Sequence, residues 1–115
     1  MLPRIQEIAM EYKKSLRQLY GEDLAEVILY GSYARGDYNA ESDVDIAIVF
    51  KHPEVNAAAE IYKTAGISAF LGLKYDVMLS TFPTSDKKLK TSMQGIYQSI
   101  RREGIAIWPT FYRTL

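Results

Sequence analysis

The sequence predicts one α/β domain with a mixed central sheet flanked by helices, and three observations carry that reading. Apolar residues at helical spacing alternate along the chain with short runs of β-branched and aromatic residues. No repeat, low-complexity tract or Pro/Gly/Ser linker interrupts the alternation. The 115 residues suffice for one core and are too few for two, so the domain is expected to run over residues 1–115.

Ile5, Ile8, Ala9, Tyr12, Leu16, Leu19 and Tyr20 recur at helical spacing after Pro3, and Gly21 follows the last of them, which predicts a first helix with a stop. Leu24 to Tyr30 is short and β-branched and ends at Gly31, as a strand does. Val44 to Phe50 is apolar on both alternating faces except at Asp45, which suits a central strand covered from both sides. From Glu54 to about Leu71, Val55, Ala58, Ala59 and Tyr62 suggest a helix, with Gly66 as a point of breakage. Lys74 to Thr81 alternates Tyr75, Val77 and Leu79 against Asp76, Met78 and Ser80, which predicts a strand. Thr84 or Ser85 caps a helix with Leu89, Met93, Ile96, Tyr97 and Ile100 as its apolar stripe, Gly104 closes it, and Ile105 to Trp108 forms a last short strand. Tyr12, Tyr62 and Tyr97, at regular spacing, are expected in the core.

Composition removes several chemistries. The absence of Cys excludes disulfides, thiol catalysis and zinc–thiolate sites, and the single His52 leaves no His-pair chemistry. The longest apolar run, Ile46 to Phe50, is far short of a membrane helix, and the N-terminus acquires charge at once. A cytoplasmic protein without membrane contact is expected. Fourteen basic residues balance fourteen acidic ones, which argues against a dedicated nucleic-acid binder.

The balance is uneven along the chain. Between Gly21 and Ile46 seven acids stand against Arg35 alone, a net charge of −6 that favours a bound cation. Asp43 and Asp45 lie two apart at the opening of a strand, so their side chains project from one face. Paired carboxylates repel and each costs desolvation, so the pair calls for a compensating cation, and oxygen ligands of this kind suit Mg²⁺ completed by substrate phosphates. Upstream, Gly31-Ser32 follows a strand and opens a turn whose backbone can approach an anion closely. It is neither a Walker A loop, since Asp37-Tyr38 replaces the Lys-Ser/Thr pair, nor a dinucleotide fingerprint. If the strand carrying Asp76 lies beside Val44–Phe50, Asp76 joins Asp43 and Asp45 around one or two metals.

Gly31-Ser32, ten residues, then Asp43-Val44-Asp45 resembles the G-S-x10-D-x-D signature of the polymerase-beta nucleotidyltransferase superfamily, and the string GSYARGDYNAESDVDIAIVF is similar to its minimal (MNT) branch. The preceding helix, the Tyr75-Asp76-Val77 segment and the closing Arg101-Arg102-Glu103-Gly104-Ile105 extend the similarity over nearly the whole chain. The resemblance implies the antitoxin half of a HEPN/MNT toxin–antitoxin module, which transfers AMP from ATP to a tyrosine of its HEPN ribonuclease in a hetero-oligomer. It implies phosphate contact by Gly31 and Ser32, with Arg35 as a further nucleotide contact, Mg²⁺ on Asp43 and Asp45, and Asp76 as third carboxylate, holding a second metal or drawing the proton from the attacking hydroxyl. Neutralisation by binding alone and transfer to a small-molecule acceptor are the alternatives. Tyr33 and Tyr38 flank the motif as candidate walls of a nucleotide pocket.

Overall fold

The computed structural model describes residues 2–107. In chain order it comprises α1 (Pro3–Tyr20), a 3-10 turn (Gly21–Asp23), β1 (Leu24–Tyr30), α2 (Ser32–Arg35), β2 (Val44–Phe50), α3 (Ala57–Tyr75), β3 (Leu79–Ser85), α4 (Asp86–Thr91), α5 (Gly95–Glu103) and β4 (Ile105–Ala106). The sheet order is β3-β2-β1-β4, with β1 antiparallel to both β2 and β4, and β2 parallel to β3. The predicted α/β class and mixed sheet are therefore what the chain forms.

Alternation along β1 and β2 divides the interior in two. Leu24, Val27, Leu29, Val44, Ile46, Ile48 and Phe50 pack under α1 and α3 with Ile5, Ile8, Tyr12, Leu16 and Leu71. Ile28, Ala47 and Val49 face the other way, against Leu89, Tyr97 and Ile100 of α4 and α5. Each fully buried aliphatic of this kind contributes about 1.5–3 kcal/mol relative to exposure. No helix among the described residues is long and apolar enough to cross a membrane.

Three predicted elements are corrected. The helix predicted over Glu54–Leu71 starts at Ala57, where Asn56 accepts a hydrogen bond from the Ala59 amide, and runs unbroken through Gly66 to Tyr75. Its last turn is held to α1: the Tyr75 hydroxyl donates to Glu11 at 2.6 Å, Lys74 pairs with Glu11 at 2.9 Å, and Arg4 donates to the Tyr75 carbonyl. The third strand consequently begins at Leu79, not Lys74, and includes Pro83; as an edge strand it tolerates a residue without an amide donor. The single helix expected after Ser85 is two, α4 capped by Ser85 and α5 after a break at Ser92–Gln94, which leaves Met93 exposed. Tyr12 and Tyr97 are in the core as expected, but Tyr62 is 84% exposed on the outer face of α3. His52 is partly exposed and meets the Asp23 carboxylate at 2.6 Å. Ile105 and Ala106 form the last strand, and Trp108 lies outside the described residues.

Candidate active site

The site is built at the end of β1 and the start of β2. Gly31 leaves β1 with φ +75°, and α2 follows at once, its turn closed by hydrogen bonds from the Ala34 and Arg35 amides to the Gly31 carbonyl. The first amides of such a turn have no partner within it. Antiparallel pairing sets Tyr30 opposite Asp45, so the Asp45 side chain lies against Gly31. A Cβ at position 31 would overlap Asp45 Oδ2, which makes glycine a requirement of space as well as of backbone conformation.

Gly31, Ser32, Arg35 and Asp45 line one cleft of about 320 Å³ together with Tyr30 and with Ile96, Ser99 and Glu103 of α5. Asp43 stands exposed one residue before β2. Burial pushes the Asp45 carboxyl above the usual carboxylate range, and the neighbouring Asp43 charge pushes it further, against a smaller opposing pull from Arg35. Burial, with the Asp45 charge, raises the Tyr30 phenol to about 12, so it is neutral and available as a donor at physiological pH. Tyr33 and Tyr38 stack with ring centroids 4.7 Å apart beside the loop.

Glu103 is the residue that sequence reasoning missed as part of the site. Its side chain is only 12% exposed; Oε1 accepts from Arg35 Nη1 at 3.0 Å and from the Gly31 amide at 3.3 Å. Gly104 positions it: a Cβ there would overlap the Ile100 carbonyl and Ile28, so the end of α5 sits directly on β1. The only sequence signal was the resemblance of the Arg101–Ile105 segment, which named no role for it. Arg35 is shared between Glu103 and Asp37, the latter at 3.1 Å.

Asp76 is a correction. It caps α3 in the left-handed conformation, φ 54° and ψ 53°, and is exposed rather than part of a strand. The β2–β3 register sets Ser80 beside Asp45, with Asp76 before the paired residues, so the expected three-carboxylate set is not assembled. Among the described residues no three Asp, Glu or His side chains gather closely enough to hold an ion. Asp43 and Asp45 nevertheless fit Mg²⁺, which is commonly bound by one or two carboxylates with substrate phosphates and water completing the octahedron. The mutual repulsion that raises Asp45 is what such a cation would relieve.

The model of the nucleotidyltransferase domain matches residues 9–107. MJ0141 of Methanocaldococcus jannaschii, a candidate protein adenylyltransferase, is 43% identical over 86 residues, 75% of this chain and 84% of its own length. Protein adenylyltransferase MntA of Thermococcus cleftensis is 31% identical over 107 residues, 92% of this chain and 95% of its own. The fold is shared with a chain of the complex between tri-AMPylated Shewanella oneidensis HEPN toxin and MNT antitoxin, at a TM-score of 0.54 and 17% identity, covering 95% of this chain and 76% of that one. With the Gly-Ser turn and Asp45 at one cleft and Asp43 two residues before Asp45, these matches show that the chain belongs to the nucleotidyltransferase domain family, in its minimal, MntA-like branch.

Proposed function

We propose that this chain is the antitoxin of a HEPN/MNT pair and transfers AMP from ATP to a tyrosine of its HEPN ribonuclease, silencing it. The observation that carries the reading is the close approach of Asp45 to Gly31, which line one cleft with Ser32. Similarity to protein adenylyltransferases, and a fold shared with a chain of the AMPylated HEPN toxin complex, support a protein acceptor.

Gly31 lets the turn approach the triphosphate, Ser32 offers its hydroxyl, and Arg35 offers charge-assisted hydrogen bonds once drawn from Asp37 and Glu103. Asp43 and Asp45 would hold Mg²⁺, which when bound neutralises triphosphate charge. The phenolic oxygen of the acceptor then bonds to the α-phosphorus as the bond to the bridging oxygen breaks, and pyrophosphate leaves. Glu103 is the other carboxylate lining the cleft, and the phenolic proton passes to it once Arg35 has turned to the nucleotide. In this reading the acceptor tyrosine is carried by the HEPN-type partner.

The test is the ribonuclease activity of the HEPN-type partner after incubation with this chain, ATP and Mg²⁺. Activity should fall with the wild-type chain and persist with the Asp43→Asn, Asp45→Asn double variant. Equal inhibition by the double variant, or inhibition without ATP, would assign neutralisation to binding alone.

A further inference from the structure

The outer face of α3 is apolar from end to end. Leu73 is 86% exposed, Phe70 63% and Ile61 46%, and with Tyr62 they border the exposed small residues Ala58, Ala65, Gly66 and Ala69. The opposite side of the helix is accounted for: Glu60, Thr64 and Leu71 face the interior. A continuous apolar face of this kind on a soluble domain marks an interaction surface.

We infer that this face pairs with the same face of a second copy of the chain, α3 against α3 in antiparallel two-fold contact. In such a pair the residues along the centre of the stripe meet those at the mirrored position about the Ala65–Gly66 midpoint. Tyr62 then meets Ala69 of the second copy and Leu73 meets Ala58, while Ile61 and Phe70 border the seam on its two flanks and Ala65 and Gly66 lie at the crossing. Large side chains fall opposite small ones along the central seam, and the crossing point has the least bulk, which lets two backbones approach closely. Parallel pairing would set Tyr62 on Tyr62 and Ala69 on Ala69, a collision beside a void. The face is self-complementary only in the antiparallel sense.

Charge and position agree. The stripe itself carries no ionisable side chain other than the Tyr62 phenol, and the lysines bordering it are neutralised within the chain, Lys63 by Glu60 at 3.4 Å and Lys74 by Glu11 at 2.9 Å. Two copies therefore meet without uncompensated repulsion. The α3 face also lies on the side of the sheet away from Asp45, which shares its strand face with Ala47 and Val49 under α5. A partner that must deliver a tyrosine to the cleft is poorly served by docking there, whereas a back-to-back pair leaves both clefts open. The 19-residue helix is about 28 Å long. One helix face covers less than the roughly 800 Å² per partner of standard stable interfaces, so the association is reversible and concentration-dependent.

Sedimentation equilibrium of the isolated full chain over a concentration series tests this. The wild type should show a monomer–dimer equilibrium. Tyr62→Ala alone and Ala69→Tyr alone should each weaken it about tenfold. The combined Tyr62→Ala, Ala69→Tyr swap restores the mirrored pairing and should recover dimerisation, while circular dichroism shows all three folded, since both positions are exposed. As the chain has no native cysteine, Ala58→Cys and Leu73→Cys chains should cross-link when mixed and not when oxidised separately. A wild-type chain that remains monomeric throughout, or folded variants in which the swap fails to rescue, overturns the inference. A monomer whose α3 face is protected only on adding the HEPN-type partner also overturns it and gives the face to that partner.

Discussion

Asp45 and Ile46 are consecutive residues of one strand with opposite tasks. Ile46 points under α1 and α3 into a sealed apolar layer, where nothing polar is asked of the strand. Asp45 points under α5 into a cleft, where its carboxylate presses on Gly31 and is strained by the charge of Asp43. The difference teaches that the pleat divides the work: one face holds the fold together, and the other carries charge that the fold would be steadier without.

Substitution at Asp45 separates the two faces most strongly. Asp45→Asn should lower transfer by about 10²–10³-fold, the cost of removing one preorganised electrostatic group from a reaction of this kind. Because burial and Asp43 both disfavour its charged form, the variant should melt at or above the wild-type temperature. A variant that is both inactive and unstable would place Asp45 among the structural residues. Gly31→Ala comes next: with φ +75° and the Asp45 carboxylate in the way, it should lose about 1–3 kcal/mol of stability and most transfer together, read by denaturant unfolding and turnover. Ile46→Val, on the opposite face, should lose about 1 kcal/mol by the same unfolding assay while kcat is unchanged.

The smallest effect is a pH dependence remote from both. Hydrogen bonds from Tyr75 and Lys74 hold Glu11 below the usual glutamate range. A carboxylate lowered on folding stabilises above its unfolded value, and that contribution disappears as pH falls through the lowered one. Melting temperature should therefore drop between pH about 5 and more acidic values, with a shallower drop in Tyr75→Phe, which lacks the hydroxyl donor.

β1 and β2 were legible to the residue, because each is a β-branched run with a clean breaker, and the Gly-Ser and Asp-x-Asp spacing was legible because it is local. The α3–β3 boundary was not. Tyr75, Val77 and Leu79 alternate as a strand would, but contacts from Glu11 and Arg4 on α1 keep Lys74 and Tyr75 helical, and no window of sequence contains those partners. Asp76 was misplaced for that reason. Glu103 escaped for a related one: 72 residues separate it from Gly31, and only the packing of Gly104 on β1 brings it to the cleft. Tyr62 read as core because its spacing is helical; spacing identifies a face, and the face proved to be the outer one.

The central claim is nucleotidyl transfer from the Asp45 face of the sheet, and the most direct measurement compares ATP labelled at the α-phosphate with ATP labelled at the γ-phosphate, each incubated with this chain, Mg²⁺ and the HEPN-type partner. Label from the α-phosphate should appear on a partner tyrosine, label from the γ-phosphate should not, and Asp43→Asn with Asp45→Asn should abolish both the signal and its Mg²⁺ dependence. Transfer of the γ-label, or undiminished α-labelling by the double variant, would contradict it.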